Sequence, residues 1–294
     1  MKVVRSKVIG YCFGVSNTIE KATECMAMAR EENLPCYSIG SLIHNKDVVE
    51  DFARQGMRRS DSPEGLEPGI ALVRAHGIPE KLRRSYADAG FRIVDSTCPI
   101  VAKGAATLRK AAQKGFNTVI IGVKGHAEAI GLMGVELPDG TPVNSRLISS
   151  LEEARDLRYS GELAMDADII VVVQTTFPVK EFQAIRRFLK AGFTRIRFSN
   201  SPCGATEARS KAALELASQT DAVIVIGGRN SENTKGLARI VSETGKPVFS
   251  IENERDLDEE FLGKLLRYGS VGICSGSSSP TAIIRSVEEI LERL

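Results

Sequence analysis

Short apolar runs rich in β-branched residues recur along the chain. Each gives way to a polar loop and then to a stretch of helical period. The runs include CYSI, GIALV, TVIIG, ADIIVVV, DAVIVI and GSVGIC. Strands of that kind alternating with amphipathic helices predict parallel sheets with helices on their faces. The order of units repeats three times. Each repeat opens on a strand, a cysteine and a helix: VVRSKVIGYCFGVSNTIEKATECMAMA, FRIVDSTCPIVAKGAATLRKAAQKG and FTRIRFSNSPCGATEARSKAALELASQ. Two further strand–loop–helix units follow in every repeat, a second and a third slot. The expected fold class is α/β, as three pseudosymmetric α/β modules with parallel-type sheets arranged around a central cavity. Residues 1–97, 98–196 and 197–294 are the expected modules.

Composition narrows the function more than the fold. The chain has 294 residues, 43% of them hydrophobic, enough for three modules with their own cores. A formal net charge of +2 makes no electrostatic case for nucleic acid or an anionic membrane. No apolar run is long enough to span a bilayer, and the N-terminus lacks the apolar core of a signal peptide. A cytoplasmic protein is expected, and in that compartment the six cysteines read as metal or catalytic residues rather than disulfides.

The repeat sorts those cysteines. Cys12, Cys98 and Cys203 occupy the same place in three modules, between a strand and a helix. Cys25, Cys36 and Cys274 lie in a helical pattern or in strand runs, where a buried cysteine acts as a small hydrophobe. Three equivalent thiols suggest three ligands on one soft-metal centre. A structural zinc wants four ligands, usually in close pairs, and the chain has no such pair. Three isolated thiolates suit an iron–sulfur cluster with one iron lacking a protein ligand, free to act as a Lewis acid. The thiols by themselves leave catalytic zinc open as well.

In such sheets ligands bind beyond the carboxyl ends of the strands, where the second-slot and third-slot loops lie. All three histidines of the chain fall in these loops: His44 in LIHNKD, His76 in RAHGIP and His126 in KGHAEA. The third repeat offers Ser231 and Asn233 in one loop and Ser278 in the other. The second offers Gln174, Thr175 and Thr176. Imidazoles, hydroxyls and amides at helix N-termini form a donor array suited to a phosphate or diphosphate. No Walker-type glycine loop is present, which argues against nucleotide hydrolysis. Glu128, two residues after His126, is a candidate proton donor if burial raises its pKa.

Taken together, GYCFGV, HN at His44, AHG at His76, DSTCP at Cys98, GHAE at His126, QTT at Gln174, CGAT at Cys203, NSEN at Asn230 and GSSSP at Ser278 resemble the 4-hydroxy-3-methylbut-2-enyl diphosphate reductase family over the whole chain. The resemblance implies a [4Fe–4S] cluster on Cys12, Cys98 and Cys203. It implies a substrate diphosphate held by His44, His76, His126, Ser231, Asn233 and Ser278, with Thr206 as a further contact. Glu128 is implied as the proton source, and Thr175 as the residue that orients the substrate hydroxyl. The chemistry implied is reductive dehydroxylation to isopentenyl and dimethylallyl diphosphate, with electrons from ferredoxin or flavodoxin. The chain departs from the family at Asn17, where a basic residue is usual, at Ala127, where proline is usual, and at Pro202 and Ser210. It also departs at Glu232, whose carboxylate would repel a diphosphate if turned inward. A paralogue acting on another, non-diphosphate substrate is the competing reading. A cluster carrier or redox sensor would need neither Glu128 nor Thr175.

Overall fold

In the computed structural model, residues 1–199 and 202–294 are described. They form two compact units. One comprises Met1–Ser16, Ile43–Arg54 and Gly204–Leu294; the other comprises Asn17–Leu42 and Gln55–Cys203.

The first unit holds one four-stranded parallel sheet, β1 (Lys2–Arg5), β10 (Ala222–Ile226), β11 (Val248–Ile251) and β12 (Ser270–Ser275), in the order β1-β12-β10-β11. Its helices are α2 (Lys46–Arg54), α8 (Gly204–Gln219), α9 (Glu232–Ser242), α10 (Glu259–Leu265) and α11 (Thr281–Glu292), and α1 (Phe13–Glu31) begins in it. The central strand reads AVIVI and is buried throughout, as expected of a parallel strand covered on both faces. Ile224, Ile226 and Ile273 pack on one side against Ile284, Val287 and Leu291 of α11. Val223 and Val225 pack on the other against Ala213 and Leu216 of α8 and Leu237 of α9.

The second unit holds two more parallel sheets. One runs β3-β2-β4-β5, from β2 (Cys36–Ile39), β3 (Met57–Ser60), β4 (Ile70–Val73) and β5 (Arg92–Asp95). The other runs β7-β6-β8-β9, from β6 (Asn117–Ile121), β7 (Ser145–Ile148), β8 (Ile169–Val173) and β9 (Ile196–Phe198). Helices α3 (Glu80–Asp88), α4 (Pro99–Gln113), α5 (Ala127–Met133), α6 (Leu151–Tyr159) and α7 (Val179–Gly192) complete it.

All three sheets share one strand order, so the expected α/β modules with parallel sheets are present. Sheet membership is shifted relative to the sequence repeat. The strand that precedes each cysteine is the edge strand of the preceding sheet: β5 joins β4, β9 joins β8, and β1 joins β12 at the far end of the chain. These strands are only half-covered, made up of exposed and partly buried positions. The opposite edges, β3, β7 and β11, were not expected from the sequence. Each is four residues long, and β3 (MRRS) points two arginines outward. Short charged edges are how a sheet limits unwanted pairing, and they leave no periodic apolar signal to read.

Candidate active site

Each cysteine of the repeat sits where an edge strand ends and a helix begins. Cys98 caps α4, with Pro99 at its first position. Cys12 directly precedes α1 and Cys203 directly precedes α8. All three are half-buried free thiols, whereas Cys25, Cys36 and Cys274 are buried. Burial pushes these last three thiols up to about 11, about 12 and about 12 respectively, so they stay protonated and inert.

One backbone bond recurs at all three positions. The N–H of Cys98 donates to the Ala75 carbonyl (2.9 Å), that of Cys203 to Thr175 (2.8 Å), and that of Cys12 to Ser277 (3.2 Å). Ala75, Thr175 and Ser277 lie in the third-slot loops that leave β4, β8 and β12. Each thiol is therefore fixed against the carboxyl end of its own sheet by the same tie. Three partly exposed thiols in one backbone setting, each at a helix N-terminus that favours negative charge, fit the thiolate set of an iron–sulfur cluster.

In the second unit, Glu128 lies in the first turn of α5 and is 1% exposed. Thr175 donates to it twice, from N–H to Oε1 at 2.7 Å and from Oγ1 to Oε2 at 2.6 Å. Desolvation raises the carboxyl to about 7 and outweighs the two Thr175 bonds that pull the other way. Thr175 thus holds the acid with two donors while its carbonyl receives the Cys203 N–H. Gln174, fully buried, accepts the Val123 N–H through Oε1 and donates to Thr176 Oγ1. That pins the β6 and β8 loops to each other.

His126 caps α5. Its Nδ1 accepts the Glu128 N–H at 3.2 Å, which requires the neutral ring's hydrogen to be on Nε2. His76 stands edge-on to it, with ring centroids 5.3 Å apart. Two of the three predicted histidines therefore share one corner of this unit with the acid.

The remaining polar residues gather in the first unit. Ser231 caps α9 by accepting the Thr234 N–H. Asn233, 5% exposed, accepts the Ser277 N–H through Oδ1 at 2.9 Å. Its amide NH2 is a separate donor group. Ser278 Oγ donates to the His44 carbonyl at 3.1 Å, and that same carbonyl lies where a Cβ on Gly228 would stand, 2.2 Å away. Only glycine at 228 lets the two loops close. Thr206 is in the first turn of α8, where its carbonyl accepts from Ser210 Oγ. Glu232, at the first position of α9, turns to Lys235 at 2.9 Å on the solvent side.

Arg209 was missed at the sequence level. It is 3% exposed on α8. Within a helical pattern an arginine reads as a surface residue, and only the fold shows that its face is covered.

Three parallel α/β sheets of one topology, each ending in a tethered cysteine, with a buried carboxyl hydrogen-bonded beside one of them, define the class of this α/β protein. The chain belongs to the LytB protein family, whose profile matches residues 3–292. A relative from Solidesulfovibrio magneticus, named 4-hydroxy-3-methylbut-2-enyl diphosphate reductase, is 33% identical over 99% of both chains. The structure of the E-1-hydroxy-2-methyl-but-2-enyl-4-diphosphate reductase from Plasmodium falciparum has the same fold, with a TM-score of 0.88 at 24% identity over 99% of this chain and 87% of that one. A solved (E)-4-hydroxy-3-methyl-but-2-enyl diphosphate reductase, described as the terminal enzyme of the non-mevalonate pathway, matches over 100% of both chains with a TM-score of 0.71 and 26% identity. No helix among the described residues is long and apolar enough to cross a membrane.

Proposed function

We propose that this chain is a cytoplasmic oxidoreductase that removes the hydroxyl group of 4-hydroxy-3-methylbut-2-enyl diphosphate and yields isopentenyl and dimethylallyl diphosphate. Two electrons and two protons enter, the C–O bond breaks, one C–H bond forms and water leaves. Cys12, Cys98 and Cys203 supply the thiolates for a [4Fe–4S] cluster. Such a cluster passes electrons singly from a low-potential donor, ferredoxin or flavodoxin, and offers a Lewis-acidic iron.

The observation that carries this reading is the unit made by Glu128, Thr175 and Cys203. A carboxyl raised to about 7 is half-protonated near neutral pH and can both deliver and recover a proton. Thr175 Oγ1 is bonded to it, so a substrate hydroxyl that meets Thr175 is one hydrogen bond from the acid. The Thr175 carbonyl ties the same residue to the Cys203 loop. A cluster carrier has no use for such an acid. His126 Nε2–H, His76 and His44, the Asn233 amide, Ser231, Ser278 and Thr206 bind the diphosphate. The dipole at the N-terminus of α9 adds to the attraction.

The competing reading of a non-diphosphate substrate rested on Glu232 and Asn17, and Glu232 is the one of the two that bears a charge. Its carboxylate pairs with Lys235, which offsets the charge that would repel phosphate. The test is anaerobic turnover of 4-hydroxy-3-methylbut-2-enyl diphosphate with a low-potential donor. Formation of both isomeric products is expected. A preparation with full iron and sulfide content and no turnover would reject the assignment.

A further inference from the structure

Arg209 is a cation that the fold buries without a carboxylate partner among the described residues. At 3% exposure it is one of the most costly groups to leave uncompensated. Its two hydrogen-bond partners are neutral carbonyls: Nη1 donates to Ser275 at 3.2 Å and Nη2 to Gly10 at 2.5 Å. Its Nε is buried with no partner among the described residues. The charged groups that bear on it are thiols, Cys12 first and Cys274 second, while burial lowers its proton affinity from the usual arginine range. Cys274 is 1% exposed and stays protonated, so it brings no negative charge. A guanidinium nevertheless keeps its proton in proteins. Cys12 lies two residues beyond Gly10, whose carbonyl accepts from the guanidinium, and a cluster held there would bring the negative charge that the neutral carbonyls do not.

The local backbone supports this. Gly10 has φ +82, a conformation open to glycine. That turns its peptide so that N–H meets Ser275 Oγ at 2.9 Å while C=O faces Arg209. Two residues on, the Cys12 N–H reaches Ser277. The loop that carries the thiol is thus held from both sides, and the guanidinium is one of the clamps.

We propose that Arg209 is a positioning residue that pins the Gly10–Cys12 loop to the end of β12 and supplies the fixed positive charge that offsets an anionic, thiolate-bound cluster at Cys12. The charge role rests on the reading of Cys12 as a cluster ligand; the pinning role does not. A cluster gains negative charge on reduction, so a nearby cation favours the reduced form and raises the potential.

The experiment compares wild type, Arg209→Lys and Arg209→Gln as full-length reconstituted proteins. Iron and sulfide are counted per chain, and the midpoint potential is read by mediated titration followed by electron paramagnetic resonance. Arg209→Gln should lower the ratio of reduced to oxidised cluster at a fixed poise about tenfold, or about 59 mV for a one-electron couple. Arg209→Lys keeps the charge and should stay within about threefold of wild type, or about 28 mV by the same conversion. Equal potentials in wild type and Arg209→Gln would overturn the charge role. If Arg209→Gln holds no cluster, the lysine variant decides: most of the wild-type iron supports the charge role, and loss equal to that of Arg209→Gln overturns it. Absence of iron from wild type would defeat the cluster reading instead. Amide hydrogen exchange at Gly10–Cys12 in the apoprotein then still tests the clamp. Faster exchange in Arg209→Gln is expected, and unchanged exchange would refute it.

Discussion

Replacing Glu128 by glutamine tests the acid without needing the cluster. The carboxyl has an ordinary value of 4.5 in the open chain and about 7 in the folded protein. A group whose folded value is raised holds its proton more tightly in the native state. Its stabilising effect is complete below about 4.5 and is lost as the pH rises through about 7. The difference, at about 1.4 kcal/mol for each pH unit, amounts to about 3 kcal/mol of stability lost across that window. Glu128 is only 1% exposed, so solvent screening removes little of it. Glutamine fits the same space. Its carbonyl accepts the Thr175 N–H, and its amide donates to the Thr175 hydroxyl once that proton turns away. Urea unfolding of the apoprotein at pH 5 and pH 8, followed by circular dichroism because the chain has no tryptophan, should show wild type losing about 2.5 kcal/mol more than Glu128→Gln between the two conditions, since pH 5 already lies inside the window. The variant should be the more stable protein at pH 8. With the cluster present, turnover should fall by roughly 10²–10⁴-fold, the range for general acid catalysis. Stability curves that run parallel in the two proteins would refute the buried-acid argument. A near-wild-type rate would remove Glu128 from the chemistry.

Serine at Cys12, Cys98 or Cys203 should abolish most iron binding, whereas alanine at Cys25, Cys36 or Cys274 should leave iron per chain unchanged; the assay is metal content after anaerobic reconstitution. Thr175→Val removes a hydrogen bond that lowers the Glu128 pKa, so the alkaline limb of the pH–rate profile should move upward, and Thr175→Ser should restore it. Glu232→Ser should change the Michaelis constant for the diphosphate substrate by less than about threefold, under roughly 0.7 kcal/mol, because the carboxylate is already paired with Lys235. A gain of tenfold or more would instead mean that Glu232 had been repelling the phosphate.

The threefold repeat was legible because its signals are strong and local. Buried strands such as AVIVI and IIVVV are apolar throughout, and a cysteine at the strand–helix junction recurs in all three modules. The unread elements are those whose stability comes from position rather than pattern. β3, with Met57 its only large apolar residue, is ordered by pairing with β2. The assignment of β1 to the sheet of β12 could not be read either, since its partners lie at the opposite end of the chain. Among the residues proposed for the site, those with a narrow chemical vocabulary stood out in the sequence: cysteine, histidine, and a carboxylate two residues from a histidine. Arg209 escaped because a helix surface is a normal place for arginine, and α8 has almost no amphipathic contrast to show which face is covered.

The backbone tie at the three cysteines is the same in all three repeats, although the loops that supply it differ in sequence. A thiol that must be held in one place needs its own N–H fixed, and the acceptor comes from the loop that leaves the neighbouring strand of the same sheet. That acceptor is a carbonyl, so the side chain at the accepting position is free to differ. It is alanine at 75, threonine at 175 and serine at 277. The threonine is the one placed to bond a carboxylate, and Glu128 stands opposite it and not opposite the other two. The threefold frame therefore fixes three equivalent thiols through main-chain atoms alone. The side chains of the same loops break the symmetry: Thr175 bonds the acid of α5, His76 follows Ala75, and Ser277 is followed by two more serines. Equivalent thiols beside unlike polar loops suit the proposed substrate, which is small and unsymmetrical: one end anionic, the other an alcohol to be protonated and released.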